Sequence, residues 1–172
     1  MSRSKIIAID PGNEKSGYVV AEHDGQEIVA ILDAGKTDNR YIYDVLLSNM
    51  GSYDLAVEMV ASYGMAVGKT VFDTCVFIGR VLEFARHRTG EKFYSDCRLI
   101  YRKDEKLNIC GTMKAKDANI RQALIDRYAA NVSNGGKGTK KEPGFFYGFK
   151  ADIWQAFAVA VTYFDLYVKG EK

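Results

Sequence analysis

The chain has 172 residues, 47% of them hydrophobic and 27% charged, with a net charge of +2. That balance suits one globular domain with a sizeable core, and it excludes a disordered or collagen-like chain. No apolar run approaches the roughly eighteen residues of a membrane span. The three cysteines, Cys75, Cys97 and Cys110, show no CxxC spacing, which argues against a disulfide framework or a zinc site. With an N-terminal MSRSK that lacks an apolar signal core, they lead to the expectation of a reducing cytoplasm.

The first predicted element is a buried strand over residues 5–10, Ile6 to Ile9 running straight into Asp10 before Pro11-Gly12. SGYVVAEHDG and QEIVAILDAG follow as two more apolar runs with Asp24-Gly25 between them, a strong hairpin signal. Ile42, Val45, Leu46 and Met50 predict a helix over 39–50, and LAVEMV (55–60) a short strand. A long helix is expected over 68–88, then a strand, RLIYR (98–102), with basic ends, and a second helix over 115–130. The stretch NVSNGGKGTKKEPGFFYGF (131–149) breaks all periodicity and is expected to be a mobile loop. KADIWQAFAVAVTYFDLYV then predicts a helix that is apolar almost all round and hence largely buried, with Trp154 in the core. His23 and His87 show no ligand spacing and are expected at the surface. The order of elements predicts a single α/β domain over 1–172, a mixed sheet with helices on both faces.

Three carboxylates fall in apolar settings: Asp10 at a strand end, Glu58 inside LAVEMV, and Asp152 in the first turn of the last helix. An unpaired carboxylate in low dielectric costs several kcal/mol or becomes protonated, so each needs a partner. Asp10 could accept the amides of its turn, and Asp152 alone suits a helix N-terminus. Glu58 has the weakest such explanation. Strand ends and a helix start can converge on one point, where these acids would repel one another. A divalent cation removes that repulsion, and all-oxygen ligation favours Mg²⁺ or Mn²⁺. Two such ions would stabilise both the attacking water and the leaving oxygen of a phosphodiester.

IAIDPGNEKSGYVV, LAVEMV and KADIWQAFAVAVT together resemble, in order and spacing, the three acidic motifs of the RuvC-type Holliday junction resolvases. The resemblance covers nearly the whole chain, and the sequence around the motifs looks more like the phage-borne branch than the bacterial housekeeping enzyme. It implies an RNase H-like fold with a five-stranded mixed sheet. It also implies a homodimer and Mg²⁺-dependent nicking of Holliday junctions and other branched DNA such as forks, leaving 5′-phosphate ends. For a phage-borne protein it implies the bacterial host cytoplasm. Asp10, Glu58 and Asp152 match the family's metal ligands, with two ions per site and Mn²⁺ as a substitute. Where the family has a further aspartate, this chain has Gln155, a neutral oxygen donor.

The resemblance also places lysines after the fifth strand near the scissile phosphate. Lys106 and Lys116 match best, with Lys114 close behind. Such lysines would steady phosphate charge in the transition state. Segment 98–116 sets six basic residues against Asp104 and Glu105, and segment 137–150 sets Lys137, Lys140, Lys141 and Lys150 against Glu142. Both suit phosphate contact without sequence readout, and both also suit a solvated surface. After Glu58 the family reaches into the junction with an aromatic. Tyr63 is the candidate here, either stacking on a base or holding structure, and Lys69 is a candidate phosphate contact. Gly12 and Gly17 are expected to permit tight backbone approach beside the site. Two other readings remain open at this point. One is a branched-DNA binder without cleavage, marked by Gln155. The other is an actin-like phosphotransferase, which shares the first motif but needs a second nucleotide-binding lobe.

Overall fold

A computed structural model describes residues 3–49, 53–62, 64, 66–89 and 97–170. Five strands form one mixed sheet: β1 (Ser4–Asp10), β2 (Lys15–His23), β3 (Ile28–Asp38), β4 (Tyr53–Met59) and β5 (Cys97–Tyr101). Their order across the sheet is β3-β2-β1-β4-β5. The first three strands pair antiparallel, as the hairpin signal predicts, while β4 pairs parallel with both β1 and β5. At the β2–β3 turn Gly25 takes φ +84°, and the Asp24 carboxylate accepts the amides of Gln26 and Glu27 at 2.8 and 3.0 Å. This is the Asx geometry that makes Asp-Gly a turn signal.

Among the described residues the α-helices are α1 (Asn39–Ser48), α2 (Lys69–Thr89), α3 (Arg102–Cys110), α4 (Asp117–Tyr128) and α5 (Ala151–Tyr163). They cover both faces of the sheet, and the alternation along each strand decides which residue faces which layer. Ile7, Ile9, Val20, Leu55 and Val57 pack against Ile42 and Leu46 of α1 and Phe77, Ile78 and Val81 of α2. Ile6, Ala8, Val19, Ala21, Ala56 and Ile100 pack against α5 and α4. From Ile153 to Tyr163 α5 has only buried side chains apart from Gln155, as its unbroken apolar run predicts.

Three expectations need correction. The strand expected over 98–102 spans Cys97–Tyr101 instead: Arg102 opens α3, a nine-residue helix that the charged run RKDEK hides. The Asp104 carboxylate accepts the Tyr101 amide at 3.2 Å and starts that helix, and Gly111 ends it at φ +67°. Segment 131–149, expected to be a mobile loop, is anchored in the core at Gly136, Phe146 and Phe149 while the rest stays largely exposed. Phe146 and Phe149 are buried among Trp154 and Phe157, contributing roughly 2 kcal/mol each. Gly138 bridges Pro143, and Gly136 sits where a Cβ would lie 2.4 Å from that of Ala129, so only glycine fits. His23 is buried, not exposed, against the ring of Phe164, while His87 is exposed and pairs with Glu83.

Past Tyr163 the last helix widens into one π turn, Phe164–Val168. It carries Asp165, which accepts from Asn108 of α3 at 2.9 Å and from both terminal nitrogens of Arg127 of α4 at 2.6 and 2.7 Å. One carboxylate thus ties the far ends of α3 and α4 to the end of α5.

Candidate active site

Asp10 and Glu58 follow Ala8 and Ala56 by two residues, so both carboxyls point to the face that α5 covers. Ile9 is paired with Val57 in the parallel register, which leaves Asp10 and Glu58 side by side at the carboxyl ends of adjacent strands. Lys36 follows Ala34 by the same step, so alternation turns three charged residues to one face, and Arg102, the first residue of α3, lines the same cleft as Asp10 and Glu58. Gly17 lies between Asp10 and Lys36 in register. Having no side chain, it lets the first turn of α5 drop onto the sheet. A Cβ there would lie 2.5 Å from the Asp152 carbonyl oxygen. Asp152 is thereby delivered next to Asp10, and its carboxylate is held by Lys36 at 2.6 Å.

The turn after Asp10 is capped by other residues. The Gly12 amide donates to Ser16 Oγ at 3.2 Å, Ser16 donates to Asn39 Oδ1 at 2.7 Å, and Asn39 Nδ2 donates to the Gly12 carbonyl at 2.9 Å. Among the described residues no backbone amide is hydrogen-bonded to Asp10. The turn-capping explanation of this aspartate therefore falls away, and its partner is Glu58.

Those two carboxyls lie close enough for each to act on the other. Burial, then the charge and hydrogen bond of Glu58, push Asp10 up to about 8. Burial and the charge of Glu105 push Glu58 up to about 7 against the opposing Arg102. Glu105, on the first turn of α3, has no exposed surface and is pushed up to about 8 by burial, again against Arg102. Its Oε1 has no hydrogen-bond partner. Arg102 bridges this buried carboxylate to Asp117 at the start of α4, one terminal nitrogen on each.

Asp10, Pro11, Glu58, Met59, Val60, Ala61 and Arg102 line a cleft of about 230 Å³. Of the residues singled out in the sequence, Asp10 and Glu58 line it, and Asp152 stands beside it. Gln155 is half-buried one turn further along α5. Lys106 is half-buried on α3, while Lys114 and Lys116 are exposed where α3 turns into α4. None of the three lysines lines the cleft; the cation that does is Arg102. Lys69 is exposed at the start of α2, 3.9 Å from Asp73, and Lys140 and Lys141 are exposed at the tip of the 138–143 hairpin, with Lys137 half-buried at its base. Tyr63 lies outside the described residues.

An all-oxygen donor set in which burial and mutual repulsion disfavour the charged carboxylates is chemically suited to a hard divalent cation, which would offset that charge. Among the described residues, no three His, Cys, Asp or Glu side chains are already gathered as a metal site. Asp10 and Glu58 adjoin each other, and Asp152 faces Lys36. Sequence reading missed Lys36, Arg102, Glu105 and Asp117. Lys36 was accessible only from the alternation and register of β3, and the other three only once α3 is known to be a helix.

No protein-family model matches this sequence, and no curated protein sequence matches it. Solved structures do. RuvC of Thermus thermophilus in complex with a Holliday junction substrate superposes with a TM-score of 0.67 at 14% identity, covering 97% of this chain and 96% of that one. A second Thermus thermophilus RuvC structure gives 0.63 at 16% identity, covering 92% of each chain. The yeast mitochondrial Holliday junction resolvase gives 0.59 at 10% identity, covering 97% of this chain and 82% of that one. At these identities the likeness is one of fold, and on that ground the chain has the RNase H-like fold of the RuvC-type Holliday junction resolvases.

Proposed function

We propose that the chain is a metal-dependent endonuclease that binds and nicks four-way junctions and other branched DNA, leaving 5′-phosphate ends. The observation that carries this reading is the Asp10–Glu58 pair, set at the ends of adjacent parallel strands beside Asp152, on a RuvC-like fold. A buried carboxyl pair of this kind stabilises nothing by itself. It costs folding energy, and such a cost is typical of a site built for chemistry.

Asp10, Glu58 and Asp152 would hold Mg²⁺ or Mn²⁺, with the Gln155 carbonyl as a neutral donor. The bound ions would supply the positive charge that activates water and steadies the leaving oxygen. The chain itself fixes Asp10 and Glu58 at strand ends and keeps Arg102 charged at the cleft wall, and Lys106, Lys114 and Lys116 would meet phosphate. Lys69 and the lysines of the 138–143 hairpin would hold the DNA arms through phosphates. Two copies related by a two-fold axis would present two sites to a four-way junction.

Cleavage of a labelled four-way junction, a fork and a linear duplex with Mg²⁺, Mn²⁺ or EDTA tests the reading. Nicks on branched substrates that need the metal and vanish in Asp10→Asn are expected. No nicks on any branched substrate with Mn²⁺ would overturn the nuclease. Gln155 and the Lys36–Asp152 pair favour a second reading, a junction binder without cleavage. That protein would bind junctions equally well as Asp10→Asn and cut none.

A further inference from the structure

Arg102 is half-buried at the cleft wall and carries a fork of contacts that no motif of the sequence announces. One terminal nitrogen bonds Glu105 within α3, and the other bonds Asp117 in the first turn of α4. Its charge also reaches Glu58, and Asp117 lies close enough to raise the Glu58 carboxyl. The α3–α4 pair is pinned at its far end by Asp165 through Asn108 and Arg127. At the near end, beside the acids, Arg102 is the side chain that bridges the two helices. Lys106 and Lys116 each adjoin a residue of this fork in sequence, Glu105 and Asp117.

We infer that Arg102 is a positioning residue. Its fork holds the starts of α3 and α4 against the cleft, and so sets where Lys106 and Lys116 meet the scissile phosphate. The inference rests on the nuclease reading above. A planar guanidinium can bridge two carboxylates in a fixed geometry, and an ammonium in its place keeps the charge but not the fork. The far-end anchor keeps the helices folded when the near end is released. The loss is therefore one of placement, and misplacement by about 1 Å costs roughly 10²-fold in rate.

The test compares wild type, Arg102→Lys, Asp117→Asn and the double variant on a labelled synthetic four-way junction. Dissociation constants are measured in EDTA and single-turnover nicking rates with Mn²⁺. Each single variant is expected to lose about 10²-fold in rate while its Kd stays within threefold, and the double variant is expected to be no slower than Arg102→Lys. An Arg102→Lys rate within threefold of wild type would show that charge alone matters and would overturn the inference. So would a Kd that rises in step with the falling rate, because Arg102 would then be holding DNA. If Arg102→Lys does not fold, Asp117→Asn decides, since that side chain is 70% exposed and its removal spares the core. A wild type that neither binds nor nicks the junction overturns the nuclease reading itself, whereas a nicking wild type with unaffected variants overturns only the role of Arg102.

Discussion

Lys36 Nζ lies 2.6 Å from the Asp152 carboxylate, and Lys36 faces Gly17 in register just as Gly17 faces Asp10. The lysine therefore occupies the acid that the proposed metal site needs, from the next strand but one. Both groups are more than a third exposed, so the pair contributes little to stability. Its weight falls on the site: a cation must compete with Lys36 for Asp152. Lys36→Met should tighten Mn²⁺ binding about fivefold, the effect of removing one nearby charge worth roughly 1 kcal/mol, and should leave the melting temperature within 2 °C or so. Calorimetric titration with Mn²⁺ measures this. Unchanged or weaker binding would mean that Asp152 stays out of the metal site.

The Asp10–Glu58 pair predicts the opposite of ordinary acid denaturation. Both carboxyls are raised in the fold, Asp10 to about 8 and Glu58 to about 7, from ordinary values of 3.8 and 4.5. Between about pH 4 and pH 8 the native state therefore holds more protons than the unfolded chain, and stability from these groups falls as pH rises through that window. Without metal, Asp10→Asn should melt several degrees higher than wild type at pH 8.5 and nearly together with it at pH 4. The same variant should lose at least roughly 10³-fold in nicking. Melting curves in EDTA at the two pH values decide the matter, and a variant less stable than wild type at pH 8.5 would mean that Asp10 is not a stored electrostatic cost.

Gly17 tests how tightly the site depends on the seating of α5. Its missing side chain is the space into which the Asp152 backbone fits, 2.5 Å from where a Cβ would stand. The neighbouring atoms are backbone and cannot swing away. Gly17→Ala should cost about 2 kcal/mol and lower nicking about 10²-fold well below the melting temperature, because Asp152 moves with the helix. Gly79→Ala is the control. It stands exposed inside α2 with open space around its Cβ position, and should stabilise by up to about 1 kcal/mol without touching nicking. Equal effects from the two substitutions would remove Gly17 from the site.

Much of this was legible in the sequence, for reasons particular residues make plain. Asp24-Gly25 announces its hairpin because the turn needs that geometry, and the all-apolar run of α5 announces a helix buried on every side. Asp10 and Glu58 were legible because a charge in an apolar strand is an anomaly that needs a partner. Arg102 and Glu105 were not, because RKDEK reads as solvated surface until the register of β5 is known. Lys36 hid in the same way, as an ordinary lysine near a strand end. The packing of 131–149 was hidden because its glycines serve close approach, as at Gly136, and not freedom. His23 follows Ala21 and Val19 on the α5 face by alternation, a signal masked by its charged neighbours Glu22 and Asp24.

His23 supplies the last prediction, with a sign opposite to that of the acids. It is 5% exposed, its ring lies 5.4 Å from that of Phe164, and neither ring nitrogen has a hydrogen-bond partner. Burial lowers its pKa from the ordinary 6.5, with Asp24 opposing weakly. Below about pH 6.5 the unfolded chain takes up this proton more readily than the fold does. The stability that depends on a neutral His23 is thus present above that pH and lost as pH falls through it. His23→Leu, similar in size and without a titrating group, should abolish that acid limb. In EDTA the variant should gain on wild type by several degrees in melting temperature between pH 7.5 and pH 5. A constant offset across that range would place the His23 ring in contact with water, where protonation costs the fold nothing.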